Sequence, residues 1–253
     1  MTEALPNLVF HAMLVLARIG GAIMLLPGLG APEVPATIRI ALLLALTALL
    51  LPVVQPGLPP LPGEVPALLR LLLIETAIGL WLGLLARLVE LALAQAGQVM
   101  ALMVGLASPL QTDPAFGAQG TALSRLFGLA ATVLVLTTGL YALPLRALAE
   151  SYALLPAGTA LPLQAQVAEV AQAVADSLSL ALRLASPLLL ASVLGQFALG
   201  LLARLAPQVP VFMVAAPGQI LAGLLLVALL LPVQLGTWLA AARDGFLALP
   251  GLP

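Results

Sequence analysis

Long uncharged apolar runs, cut by clusters of proline and glycine, organise this chain. No charged side chain occurs in 40–63, 91–112, 127–145, 184–203 or 205–242. A helix needs roughly 18 or more mostly apolar residues to cross a hydrocarbon core, and the chain supplies such runs repeatedly. The pattern predicts a first helix over 8–27, ended by Pro27-Gly28. Residues 27–35 carry three prolines and two glycines and cannot continue it. A second helix is predicted over 36–51, a proline-rich connection over 52–66, and a long helix over 67–104. On that helix Gly79 and Gly83 have the small-xxx-small spacing that lets two backbones approach. Residues 105–121 form the most polar interruption between two long apolar stretches. Helix resumes over 122–143; after a loop near 156–162 come a long helix over 164–204 and a last apolar stretch over 211–242. Pro187 and Pro232 are expected to kink or break their helices.

Composition sharpens this to a fold class. Of the 253 residues, 62% are apolar and 8% charged, less polar surface than a soluble domain of this length needs. The expectation is an all-α polytopic membrane protein, organised as one unit over 1–253. A net charge of −1 offers no basic field to nucleic acid. There is no lysine, so the nine basic residues are all arginine. Most of them (Arg18, Arg70, Arg87, Arg125, Arg183, Arg204) fall within or at the ends of helical segments rather than in loops. The positive-inside rule therefore gives no orientation, and such embedded charges should face protein or water rather than lipid. The N-terminus lacks the early basic region of a signal peptide, so the first helix is expected to be retained.

Catalytic constellations are nearly absent. With no cysteine and one histidine there is no thiolate chemistry and no His-rich metal site, and a phosphate loop cannot form without lysine. No catalytic, cofactor-binding or metal-binding residue is assigned, and no cofactor is expected. Intramembrane carboxylates are functional candidates by default, which singles out Glu75 and Glu90. Arg87 lies three residues before Glu90, on the same helix face. An ion pair between helices or subunits is the favoured reading of Glu75, Arg87 and Glu90; a proton or ion path, with His11 as a further carrier, is the alternative. Glu169, Gln172, Asp176, Ser179 and Arg183, spaced 3, 4, 3 and 4, form one polar helix stripe. Asp176 and Arg183 stand about 10 Å apart along the axis and are expected to meet water or a partner subunit.

Three blocks, in order, resemble the FliR family of type III export-gate proteins, called SctT in virulence secretion systems. The first is Arg18-Ile-Gly-Gly-Ala-Ile-Met-Leu-Leu-Pro27 with Val34-Pro-Ala-Thr-Ile-Arg39. The second runs from Gly97-Gln98 through Val104-Gly105-Leu106 to Asp113-Pro114 and Leu123-Ser-Arg125. The third, and the most specific, is Arg204-Leu-Ala-Pro207-Gln208 followed by Val-Pro-Val-Phe212. The resemblance implies a core subunit of the flagellar or virulence export gate in the bacterial inner membrane, within the flagellar basal body or injectisome base. It implies FliP-like and FliQ-like subunits, an FlhB-like switch protein and exported unfolded substrates as partners. The resemblance also implies helical hairpins, bent by Pro and Gly, packed in a FliP/FliQ/FliR-like helical assembly, and a connector before Asp-Pro that plugs the closed channel. By position that role falls on Gly105, Leu106, Ser108, Pro109, Leu110, Gln111, Asp113, Pro114, Phe116 and Gln119. Relatives commonly carry bulky aromatic groups just before Asp-Pro; here Leu110 and Phe116 are the bulky candidates. Interface roles are expected for Arg18, Glu75, Arg87, Glu90, Asp176, Arg183, Arg204, Pro207 and Gln208. A proton-coupled or small-molecule transporter, resting on Glu75, Glu90 and His11, is the competing reading; copurification with FliP- and FliQ-like chains separates the two.

Overall fold

A computed structural model describes residues 4–31, 33–105, 120–159, 163–205, 208 and 211–251. Among them the chain is α-helical, with no strand. The helices are α1 (Ala4–Ile23), α2 (Ala36–Val54), α3 (Val65–Val104), α4 (Ala122–Thr137), α5 (Ala142–Leu154), α6 (Leu163–Leu205) and α7 (Val211–Leu247), with a 3-10 turn over Gln55–Gly57. Among the described residues five helices are long and apolar enough to cross a membrane, and α4 with α5 make a sixth candidate bent by 69°. This is the architecture of an all-α polytopic membrane protein. At 1.5 Å per residue, α3 and α6 are about 60 Å long, twice a hydrocarbon core.

Several boundaries differ from the sequence expectation, each for a backbone reason. The first helix spans Ala4–Ile23 rather than 8–27. Pro27 has no amide hydrogen and its ring would press on the carbonyl four residues earlier, which is that of Ile23. Turns carry the chain onward, with Leu26 N–H on Ala22 O at 2.9 Å and Gly28 at φ +75°. The helix expected over 122–143 breaks after Thr137. Pro144 would sit inside a continuous helix, against the carbonyl of Leu140; placed in the first turn of α5 its missing donor is not needed. Gly139, at φ +76°, supplies the corner. Pro52 lies inside α2 rather than in the connection, and α7 runs on to Leu247 rather than ending near 242. Pro187 and Pro232 do not break α6 and α7. The Arg183 carbonyl, which Pro187 cannot reach with an N–H, accepts instead from Ser186 Oγ at 2.8 Å.

The described residues fall into two compact units, one built from 1–89, 132–174 and 242–253, the other from 90–131 and 175–241. In the first, Phe10, Leu14, Val15, Ile19 and Ala22 of α1 are buried, as are Ile78, Leu82 and Ala86 of α3. The expected close approach at Gly79 and Gly83 is present and involves a third glycine. A Cβ on Gly79 would collide with the Arg18 carbonyl, one on Gly83 would lie 2.7 Å from Ala22 O, and one on Gly21 2.6 Å from Thr76 O. Backbone thus meets backbone along α1 and α3. In the second unit Leu93, Ala96 and Met100 of α3, Phe127 of α4, Ala181, Leu184 and Leu188 of α6 and Trp238 of α7 form the core.

Candidate functional site

The most polar buried point of the first unit is built on Arg18. Its side chain and that of Glu75 are both fully buried, and a buried ionic group is tolerated only when paired and hydrogen-bonded. Arg18 Nε donates to Glu75 Oε2 at 2.7 Å. One terminal nitrogen, Nη1, donates to Ser151 Oγ at 3.1 Å, and the other, Nη2, to the Leu155 carbonyl at 2.9 Å. The guanidinium carbon lies 3.9 Å from the centroid of the Tyr152 ring, a cation–π contact. Ser151 Oγ donates its own proton to Leu148 O at 2.7 Å. Glu75 Oε1 accepts the Gly158 N–H at 3.2 Å.

The local backbone explains each placement. Gly79 lets α3 come close enough to α1 for Glu75, one turn earlier, to reach Arg18. Leu155 caps the C-terminal end of α5, where the free carbonyls and the negative end of the helix dipole favour a cation. Gly158, at φ +84°, adopts a turn that side-chain-bearing residues rarely take, and that turn aims its N–H at the carboxylate. The centre is therefore net neutral and ties α1, α3, α5 and the turn after α5 into one unit. A second clip sits nearby on α1: His11 Nε2 meets Pro59 O at 3.0 Å, and the Leu61 N–H donates to Asn7 Oδ1 at 3.0 Å. Both hold the proline-rich connection against the first helix.

The remaining residues nominated from sequence are more dispersed. Glu90 is buried and Arg87 half-buried on α3. Asp176 and Arg183 are exposed on α6, together with Glu169, Gln172 and Ser179 of the same stripe. Arg204 is exposed in the last turn of α6 and Gln208 is exposed beyond it, while Pro207 lies outside the described residues. Of the connector residues only Gly105 is described, ending α3 at φ +82°. Leu106, Ser108, Pro109, Leu110, Gln111, Asp113, Pro114, Phe116 and Gln119 lie outside the described residues. Sequence reasoning nominates Arg18 and Glu75 separately but misses Ser151, Tyr152, Leu155 and Gly158. The available signal is that an arginine buried in an apolar helix must find acceptors, and few polar side chains exist to supply them.

Comparison with known proteins covers nearly the whole chain. The family model for bacterial export proteins, family 1, matches residues 9–244. The flagellar biosynthetic protein FliR of Caulobacter vibrioides is 33% identical over 236 residues, covering 93% of this chain and 94% of that protein. The protein of the same name from Escherichia coli is 31% identical over 234 residues, covering 90% and 85% respectively. That from Aquifex aeolicus is 30% identical over 219 residues, covering 85% and 83%. With an all-helical membrane architecture and a match that runs almost end to end, the chain belongs to bacterial export protein family 1.

Proposed function

We propose that the chain is a core subunit of the flagellar protein-export gate in the bacterial inner membrane, where it helps to form and gate a channel for unfolded substrates. The observation that carries this reading is the two-way coverage of a flagellar FliR relative, 93% of this chain against 94% of that protein. FliP-like and FliQ-like subunits and an FlhB-like switch protein are its proposed partners, from the family resemblance. Exposed apolar side chains in the second unit fit a subunit that others cover: Leu190, Leu194 and Phe197 of α6 and Met213, Leu225 and Leu229 of α7 are each more than 60% exposed. Polar Gln196 is exposed in the same stretch of α6, a placement better suited to a protein neighbour than to lipid.

The gating role is assigned to the connector after Gly105. A proline- and glycine-rich polar segment between two long apolar helices survives at membrane depth only when it is buried in protein or lines water. Both oxygens of Glu75 are engaged within the chain, which favours the ion-pair reading of that carboxylate over the proton-coupled transporter reading that rests on Glu75, Glu90 and His11. Two experiments test the proposal. Expressed with FliP- and FliQ-like chains, the protein should leave the membrane in a large complex; a stable, monodisperse monomer obtained without partners would count against the subunit reading. Deleting residues 108–112 should leave that complex assembled but make the membrane leak ions. An assembled deletion variant with unchanged permeability and unchanged export removes the gating role.

A further inference from the structure

In the first unit, helix α2 lacks both devices by which α1 and α3 are joined. Those two helices meet through glycine, at Gly21, Gly79 and Gly83, and through the Arg18–Glu75 ion pair. Residues 36–54 contain no glycine. Of the 19 residues of α2 only Thr47 is buried. Ile40, Leu44, Leu49 and Val53 are each more than half exposed. Over 40–54 the only side chain with a hydrogen-bonding group is Thr47, and its hydroxyl is turned back onto Leu43 O at 2.7 Å. The outer surface of that stretch is therefore hydrocarbon alone. The exposed stretch of α6 differs, because Gln196 and Arg204 stand among its apolar side chains. Helices associate in a membrane through close packing and interhelical hydrogen bonds. A surface with no donor or acceptor and no glycine suits acyl chains instead.

The ends of this stretch are polar. Arg39 precedes it and Gln55 follows it, 16 residues apart, or about 24 Å at 1.5 Å per residue. A hydrocarbon core is about 30 Å thick, and an arginine stem extends along apolar surface to bring its charged head to the interface. Arg39 is half-buried, and among the described residues its Nε has no hydrogen-bond partner. The carboxylates that form ion pairs in this unit serve other arginines, Glu75 holding Arg18 and Glu150 holding Arg146. A guanidinium fork without an anion of its own, at the end of an uncharged helix, matches the paired oxygens of a phosphate. We infer that α2 is a lipid-facing surface of the chain: acyl chains cover residues 40–54, and a phospholipid phosphate takes the Arg39 guanidinium. This rests on the membrane location of the chain and not on the gating role.

The chain has no cysteine, so a single introduced one places a nitroxide label at a chosen site. Ala41→Cys, Ala45→Cys, Ala48→Cys and Val53→Cys all fall on exposed positions of α2, the three alanines being where a partner helix would come closest. Each chain is assembled with FliP- and FliQ-like chains, labelled, and reconstituted into vesicles of phosphatidylethanolamine and phosphatidylglycerol. Collisions with oxygen, which concentrates in hydrocarbon, and with a water-soluble nickel chelate then report the surroundings of the label. Every α2 label should favour oxygen, with the greatest contrast at Ala48→Cys, beside the midpoint between Arg39 and Gln55. Leu194→Cys on α6, covered by protein under the subunit reading, should show oxygen collision several-fold lower. Arg39→Leu removes the phosphate anchor and breaks no hydrogen bond of Nε within the described residues. The next charged residue outward is Glu33, so the uncharged stretch is then centred near residue 44 and the maximum should move to Ala45→Cys. Arg39→Lys keeps a cation and should leave it at Ala48→Cys. If Arg39→Leu does not assemble, Arg39→Gln removes the charge at similar bulk and is read in the same way. Oxygen collision at the three alanine sites as low as at Leu194→Cys shows a partner helix on α2 and overturns the lipid face. Free access of the nickel chelate to those sites overturns it too. A maximum that stays at Ala48→Cys without the Arg39 charge overturns the phosphate anchor. High oxygen collision at Leu194→Cys in the assembled complex counts against the subunit reading of α6 and leaves the α2 face in place.

Discussion

Replacing Glu75 by Gln removes one charge from the buried centre at almost constant shape. Arg18 Nε, now 2.7 Å from a carboxylate oxygen, would face a neutral amide that is equally able to present a donor. The guanidinium keeps Ser151 Oγ, the Leu155 carbonyl and the Tyr152 ring, none of which carries a compensating negative charge. Losing one partner of a fully buried pair costs about 3–5 kcal/mol. For a chain of this size each kcal/mol moves the thermal midpoint by about 2–4 °C, so a fall of about 6–20 °C is expected. The assay is thermal unfolding of the partner-bound preparation, followed by intrinsic fluorescence and compared with the parent under identical conditions. Arg18→Met should cost a similar amount by leaving the carboxylate unpaired, and the double variant Arg18→Met with Glu75→Met should cost less than the sum. The exchanged pair, Arg18→Glu with Glu75→Arg, should not recover stability. The Leu155 carbonyl on one side and the Gly158 N–H on the other have fixed polarity and would each meet the wrong charge. A Glu75→Gln chain as stable as the parent, or an exchanged pair that is fully stable, refutes the reasoning.

Gly79→Ala should abolish accumulation of the protein, since its methyl group would meet the Arg18 carbonyl and neither backbone can yield; membrane-fraction immunoblotting reads this out. Gly195→Ala points the other way. Nothing lies within 4 Å of a Cβ there, so replacing a helical glycine should stabilise α6 by about 0.5–1 kcal/mol, seen as a higher thermal midpoint. Ser186→Ala removes the donor to the Arg183 carbonyl opposite Pro187 and should cost about 1 kcal/mol, together with faster amide exchange over the adjoining turn. Gly158→Ala should lower the thermal midpoint of the first unit, because φ +84° is unfavourable for alanine by about 1–2 kcal/mol and the N–H to Glu75 would be displaced.

Where sequence and structure agree, the cause is local; where they part, it is long-range or geometric. The apolar runs mark α1, α2, α3, α6 and α7 because a membrane-crossing helix is a property of consecutive residues. The helix contact at Gly79 and Gly83 is legible from four-residue spacing, and the stripe from Glu169 to Arg183 is exposed as its 3,4 spacing allows. Its apolar counterpart is not hidden, since Val167, Val174 and Leu178 are exposed too, so amphipathic spacing alone does not identify a buried face. Pro27 and Pro144 are plain in the sequence, but the stop that each imposes falls at the carbonyl four residues earlier and shifts the boundary. Spacing groups Glu75 with Arg87 and Glu90 because the three share a helix. Its observed partner lies 57 residues away, a separation on which periodicity is silent.

The Arg18 centre also sets a timetable for the growing chain. Arg18 is made first; Glu75 comes 57 residues later, Ser151 133 and Leu155 137 residues later. At about 5–20 residues per second, roughly 7–27 s pass between the arginine and its last acceptor. Until Glu75 is made a guanidinium in the first apolar segment has no native partner, and until Leu155 is made its set of acceptors is incomplete; hydrocarbon is the costliest place for it to wait. An α1 released into lipid before α3 and α5 arrive would carry that charge unpaired, whereas an α1 waiting at the wet interface would keep it hydrated.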